Sequence, residues 1–116
     1  MTIPRLFIDV DGTLYDFDYQ PNEPLIKAIE KYAKAFPTAL IVVWSGGGKF
    51  NAQQAIDKLL PKIDAIALDK KGSFGLVEEG DIVVDDWAES LRVPKNCKIL
   101  NPQEAPEVIL ATRERM

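Results

Sequence analysis

The sequence predicts an α/β domain built on a mainly parallel five-stranded sheet, and three observations predict it. Short apolar runs rich in Val, Ile and Leu alternate with longer stretches of helical periodicity, which is the pattern of strand–helix units. The runs show no in/out alternation, as expected of strands covered on both faces. Several end in Asp, Ser or a nearby Lys, on the side where open α/β sheets bind ligands. A length of 116 residues predicts one domain with a real core.

The first strand, Leu6 to Ile8, runs into Asp9-Val10-Asp11-Gly12-Thr13-Leu14-Tyr15. Side chains two apart on a strand point the same way, so Asp9 and Asp11 could converge on one site. Two carboxylates about 4 Å apart repel by roughly 4 kcal/mol at an effective dielectric near 20. A shared proton or a cation must relieve that, and magnesium prefers carboxylate oxygens. The competing reading is a simple turn, because Asp and Gly are common turn formers.

Asp16 to Gln20 is acidic and aromatic and stops at Pro21, which predicts a loop or short hairpin over the site. Asn22 can cap a helix that tolerates Pro24 in its first turn. Leu25, Ile26, Ile29, Tyr32, Ala33 and Phe36 form its apolar face, and Pro37 ends it. Ala39 to Trp44 is the second strand, followed by Ser45-Gly46-Gly47-Gly48. A second helix follows, with Ala52, Ala55, Ile56, Leu59 and Leu60 on one face. A hydroxyl and glycines before a helix can present N–H groups to an anion. The Gly-Lys-[Ser/Thr] of a nucleotide loop is missing, since Gly48-Lys49 leads to Phe50. An ordinary turn is the other reading.

Ala65 to Leu68 is the third strand and leads into Asp69-Lys70-Lys71-Gly72. Asp81 to Asp86 is the fourth and ends in a second acidic pair, Asp85-Asp86. A parallel crossover usually takes a dozen residues or more, and the Gly-rich link from Lys70 to Gly80 is short for one. Its helix should therefore be a single turn or absent. Trp87 to Arg92 predicts another short helical turn, Lys98 to Leu100 a fifth strand, and Gln103 onward a terminal helix.

Composition narrows the function. Hydrophobic content of 47% and charged content of 28% are those of an ordinary globular domain. A net charge of −4 argues against bulk nucleic-acid binding, although a metal can dominate the field at a local phosphate site. Cys97 is the single cysteine, so no internal disulfide forms. The chain has no histidine, which removes His bases, His-ligated zinc and Ser-His-Asp triads together. No early stretch has the length of a signal peptide or membrane span. The expected location is cytoplasmic, with no membrane partner.

The stretch Asp9-Val10-Asp11-Gly12-Thr13-Leu14 after an apolar strand resembles the first motif of the haloacid dehalogenase-like superfamily, mostly magnesium-dependent phosphohydrolases. Val42-Val43-Trp44-Ser45-Gly46 is similar to the second motif, Lys70 or Lys71 to the third, and Ile82-Val83-Val84-Asp85-Asp86 to the fourth. The resemblance implies a single Rossmann-like three-layer α/β/α domain without a cap, since too little chain separates Thr13 from Pro24. It implies Asp9 as nucleophile and Asp11 as general acid and base. Magnesium would be held by Asp9, the Asp11 backbone carbonyl, Asp85 and Asp86, the last directly or through a neighbour. Gly12, Ser45 and Gly46 would bind phosphoryl oxygens. Lys70, or alternatively Lys71, would balance the charge of the moving phosphoryl group. Thr13 would support the loop.

Receiver domains also carry acidic residues, a hydroxyl and a lysine at strand ends, but the lysine comes last. Here the order is Asp-x-Asp, hydroxyl, lysine, acidic pair. A non-catalytic magnesium- or phosphate-binding interaction module is the remaining alternative. Without a cap, the expected cover for the site is a large phosphorylated substrate or a second subunit. Trp87 is the candidate rim aromatic, and Trp44 is expected to pack between sheet and helix.

Overall fold

The computed structural model describes residues 3–115. Five strands, β1 (Leu6–Asp9), β2 (Ile41–Ser45), β3 (Ala65–Asp69), β4 (Ile82–Val84) and β5 (Lys98–Leu100), form one sheet. Three helices, α1 (Glu23–Ala35), α2 (Lys49–Leu59) and α3 (Ala105–Arg115), accompany them. The sheet order is β3-β2-β1-β4-β5 and every pairing is parallel. The expected α/β domain with a parallel five-stranded sheet is therefore what this chain forms. Residues 10–22, between β1 and α1, contain no cap domain.

The order dictates where the helices lie. Right-handed crossovers from β1 to β2 and from β2 to β3 step the same way along the sheet, so α1 and α2 share a face. The chain then returns past β1 to β4 and β5, which sends those two connections to the opposite face. The side chains agree. Leu6, Ile8, Ile41, Val43, Ala67, Ile82, Val84 and Leu100 pack in one core with residues of all three helices. Phe7, Val42, Trp44 and Val83 form a second, smaller core with Val77 and Leu91.

That second face carries the trimmed connections. The β3–β4 link holds one 3-10 turn, Phe74–Leu76, and the β4–β5 link another, Ala88–Ser90. The third layer is therefore present but thin. Trp44 fills part of it, tilted against Phe7 and edge-on to Phe74 at centroid separations of 5.0 and 5.6 Å. Trp44 was expected between sheet and helix, and what it meets there is a 3-10 turn, the single turn that the shortened crossover leaves room for. The outer strands are less well covered: Ile66 is 47% exposed and Ile99 38% exposed.

Local chemistry sets the element ends. Asn22 accepts the Leu25 N–H at 3.4 Å as the cap of α1 and donates its amide to the Thr13 carbonyl at 3.0 Å. One side chain thus ties the helix start to the loop after β1. At the amino ends of the strands, buried Asp81 accepts Arg5 Nε at 3.1 Å and the Glu78 N–H at 2.7 Å. Asp81 therefore sits just ahead of β4 rather than in it, and joins β1 to β4 far from the site. No helix among the described residues is long and apolar enough to cross a membrane.

Candidate active site

The direction of the chain reverses at β1, between neighbours β2 and β4. In open α/β sheets the crevice at such a reversal, beyond the carboxyl ends of the strands, is where ligands bind. Asp9 closes β1, and Asp85 and Asp86 follow β4 directly. Oxygens of these three carboxylates lie within 4.8 Å of one another. Lys70, just past β3, reaches across β2 into the same cluster. Its Nζ lies 2.5 Å from Asp85 and 3.4 Å from Asp9.

The charges do not balance. Asp9 is only 6% exposed and Asp85 only 1%. Burial, then the charge of Asp85, push the Asp9 carboxyl up to about 7, although Lys70 pulls the other way. Burial works to lower the Lys70 ammonium, but its hydrogen bond to Asp85 and its attraction to Asp9 raise it. Three carboxylates against one ammonium leave two negative charges at full ionisation. A proton can relieve part of that, and a divalent cation can neutralise it. The donors are all oxygens, the set magnesium takes, so the residues present fit that ion.

Hydrogen bonds hold the cluster in place. Thr13 donates its hydroxyl to the second oxygen of Asp9 at 3.2 Å. The Trp87 N–H donates to the free oxygen of Asp85 at 2.8 Å. Gly12 has φ +77°, and a Cβ there would overlap the Asp86 carboxylate. Position 12 therefore favours glycine for its left-handed backbone, and a Cβ there would push the Asp86 carboxylate aside.

Of the other residues singled out in the sequence, Ser45 ends β2 and is buried. Its Oγ accepts the Gly47 N–H at 3.0 Å and the Asn51 amide at 2.7 Å. Gly46 is exposed in the turn beside it. Of the two adjacent lysines, Lys70 is the one brought to the carboxylates, and Lys71 is exposed. Asp11 lies beyond the end of β1, exposed, and its carboxylate is not among the three that converge. The same-side rule for alternate strand residues does not reach it, because the chain turns at Val10 and Tyr15 bonds back to the Val10 carbonyl at 3.1 Å.

Two residues that sequence reasoning did not pick out act here. Asn51, in the first turn of α2, bonds Ser45. Asp69, at the end of β3, accepts the Lys49 N–H at 2.6 Å. That first N–H of α2 was expected to face an anion, and a carboxylate of the chain takes it instead. The only sequence signal for either was a polar residue beside a predicted element end.

The loop at residues 16–20 is pinned by the Asp16 carboxylate, which accepts the Asp18 and Gln20 N–H groups at 2.8 and 2.9 Å. Phe17, Tyr19, Phe50 and Trp87 are all strongly exposed, and each lies in a segment that follows a site-bearing strand. Models of protein families, curated proteins and solved structures were compared with the chain, and none matches it.

Proposed function

We propose that this protein is a magnesium-dependent phosphatase that hydrolyses a phosphate monoester through an aspartyl-phosphate on Asp9. The observation that carries the reading is the meeting of Asp9, Asp85, Asp86 and Lys70 at the strand reversal, one strand away from the buried Ser45 hydroxyl. The four motif resemblances to haloacid dehalogenase-like phosphohydrolases fall on these same residues.

The chemistry follows from the residue types. A carboxylate oxygen of Asp9 attacks phosphorus, the bond to the ester oxygen breaks, and Asp11 gives that oxygen its proton. Asp11 then takes a proton from water, the water oxygen attacks phosphorus, and inorganic phosphate leaves a free Asp9. An exposed Asp11, outside the cluster, suits a group that meets the leaving oxygen from the solvent side. Ser45 and the N–H groups of Gly12 and Gly46 bind phosphoryl oxygens, and Lys70 balances their charge. Magnesium would be held by Asp9, Asp85 and the Asp11 carbonyl, with Asp86 directly or through a neighbour, and would supply charge neutralisation at the phosphoryl group. Lys71 stays outside the reaction.

The substrate is a phosphorylated compound whose remainder must be covered by its own bulk or by a second copy of the chain. A cytoplasmic setting belongs to this reading, and a single cysteine that can form no internal disulfide is consistent with it. A non-catalytic module that binds magnesium or phosphate would use the same carboxylates, and the separation of Asp11 from the cluster is the observation on its side. The deciding experiment is a magnesium-dependent screen over nucleotides, sugar phosphates, phosphopeptides and phosphorylated oligonucleotides, with Asp9→Asn as control. Turnover lost in that variant supports the proposal. Phosphate binding without turnover in the wild type would favour the module.

A further inference from the structure

We propose that Asn51 fixes the direction of the Ser45 hydroxyl, making Ser45 an obligatory hydrogen-bond donor to the bound phosphoryl group. This rests on the phosphatase reading and adds to it a positioning residue outside the four motifs.

A hydroxyl has two acceptor lone pairs and one proton to give. Both acceptor positions of Ser45 Oγ are filled, by the Asn51 amide at 2.7 Å and the Gly47 N–H at 3.0 Å. Neither partner can accept in return: an N–H has no lone pair, and the amide NH₂ only donates. The proton of Ser45 is therefore left for a third partner, and among the described residues the hydroxyl donates to none. Ser45 is 1% exposed, and a buried polar group left unmatched is costly. A ligand bearing acceptor oxygens completes it, and a phosphoryl group carries such oxygens with charge, the stronger kind of partner.

The arrangement also has a defined polarity. If the group at 51 were an acceptor, the Ser45 proton would turn towards it and be lost to the ligand. Asparagine and aspartate have nearly the same shape but opposite hydrogen-bonding sense on the atom facing Ser45. The amide comes from the first turn of α2, whose start is held by the Lys49 N–H bond to Asp69, so it is aimed by a fixed element.

The test is titration of the magnesium-loaded protein with orthovanadate, by calorimetry, in a double-mutant cycle. The proteins are wild type, Asn51→Ala, Asn51→Asp, Ser45→Ala and the two doubles, each checked for folding by its thermal melt. Asn51→Asp should weaken vanadate binding by about tenfold or more, the scale of a hydrogen bond to a charged group, and Asn51→Ala by less. With Ser45→Ala present, Asn51→Ala should have no further effect, because nothing remains to orient. The residual effect of Asn51→Asp in that background measures the added charge alone, and its excess in the presence of Ser45 measures the reversed hydrogen bond. Equal losses with and without Ser45, or no loss in either Asn51 variant, would overturn the assignment while leaving the phosphatase reading intact. A wild-type protein that binds no vanadate with magnesium would overturn both.

Discussion

Asp9→Asn should make the metal-free protein more stable while abolishing turnover. The substitution keeps the shape of the side chain, and its oxygen can still accept from Thr13 at the present 3.2 Å. What it removes is a negative charge buried beside Asp85. The Asp9 carboxyl is raised from 3.8 to about 7, so its ionised form opposes folding. The sign follows directly: with the folded value above the unfolded one, its contribution to stability is present below about pH 4 and is lost as pH rises to about 7. At about 1.4 kcal/mol per tenfold change in affinity for the proton, that loss has a ceiling of roughly 4 kcal/mol. Water entry and movement of Lys70 reduce it, and about 2 kcal/mol is the expected net effect at an effective dielectric near 20. For a domain of this size that is a rise of roughly 8 °C in Tm. The assay is thermal unfolding of both proteins in chelator between pH 4 and 8. The gap should open as pH rises and shrink when magnesium is added to the wild type. A variant that melts lower than wild type at pH 8 in chelator, or a gap that ignores pH, would refute the electrostatic argument. Residual hydrolysis by the variant would separately refute covalent catalysis.

Four further outcomes are expected. Lys70→Ala should lose most of its turnover, whereas Lys71→Ala should stay near wild type in rate and within about 0.5 kcal/mol in stability; activity assays beside thermal melts read both. Asp85→Ala should raise the magnesium requirement more than Asp86→Ala, because Asp85 is buried and held by Lys70 and the Trp87 N–H, while Asp86 is exposed; magnesium titrations of activity compare them. Gly12→Ala should displace Asp86, since a Cβ at φ +77° meets that carboxylate, and weakened magnesium binding by calorimetry would register it. Arg5→Leu should cost about 3 kcal/mol in urea unfolding, because it leaves buried Asp81 without its main partner, yet phosphatase activity at saturating stability should persist, the pair lying at the far ends of the strands.

What the sequence by itself determined was the set of elements and their chemistry-bearing ends. Apolar runs without alternation read as strands because a parallel sheet buries both of its faces. All five strands and three helices were visible in this way, and so was the loss of a helix between β3 and β4, which needs only a count of the linking residues. Asp9, Ser45, the Lys70-Lys71 pair, Asp85 and Asp86 stood out because polar residues that end apolar strands in an α/β sheet lie on one side of it.

What only the tertiary structure decided was which of these ends meet and through which atoms. Strand order is a long-range property: nothing within β1 or β4 announces that they are neighbours, yet their pairing brings Asp9 beside Asp85. The choice of Lys70 over Lys71 turns on one step of backbone direction after β3, below the resolution of any periodicity. Asp11 left the cluster because the chain curls back at Val10 as the strand ends. Asn51 and Asp69 were unreadable for the same reason. Their partners are a hydroxyl on the preceding strand and the first amide of a helix, and both contacts depend on how α2 is rotated over the sheet, which the packing of Ala52, Ala55 and Ile56 against the core fixes.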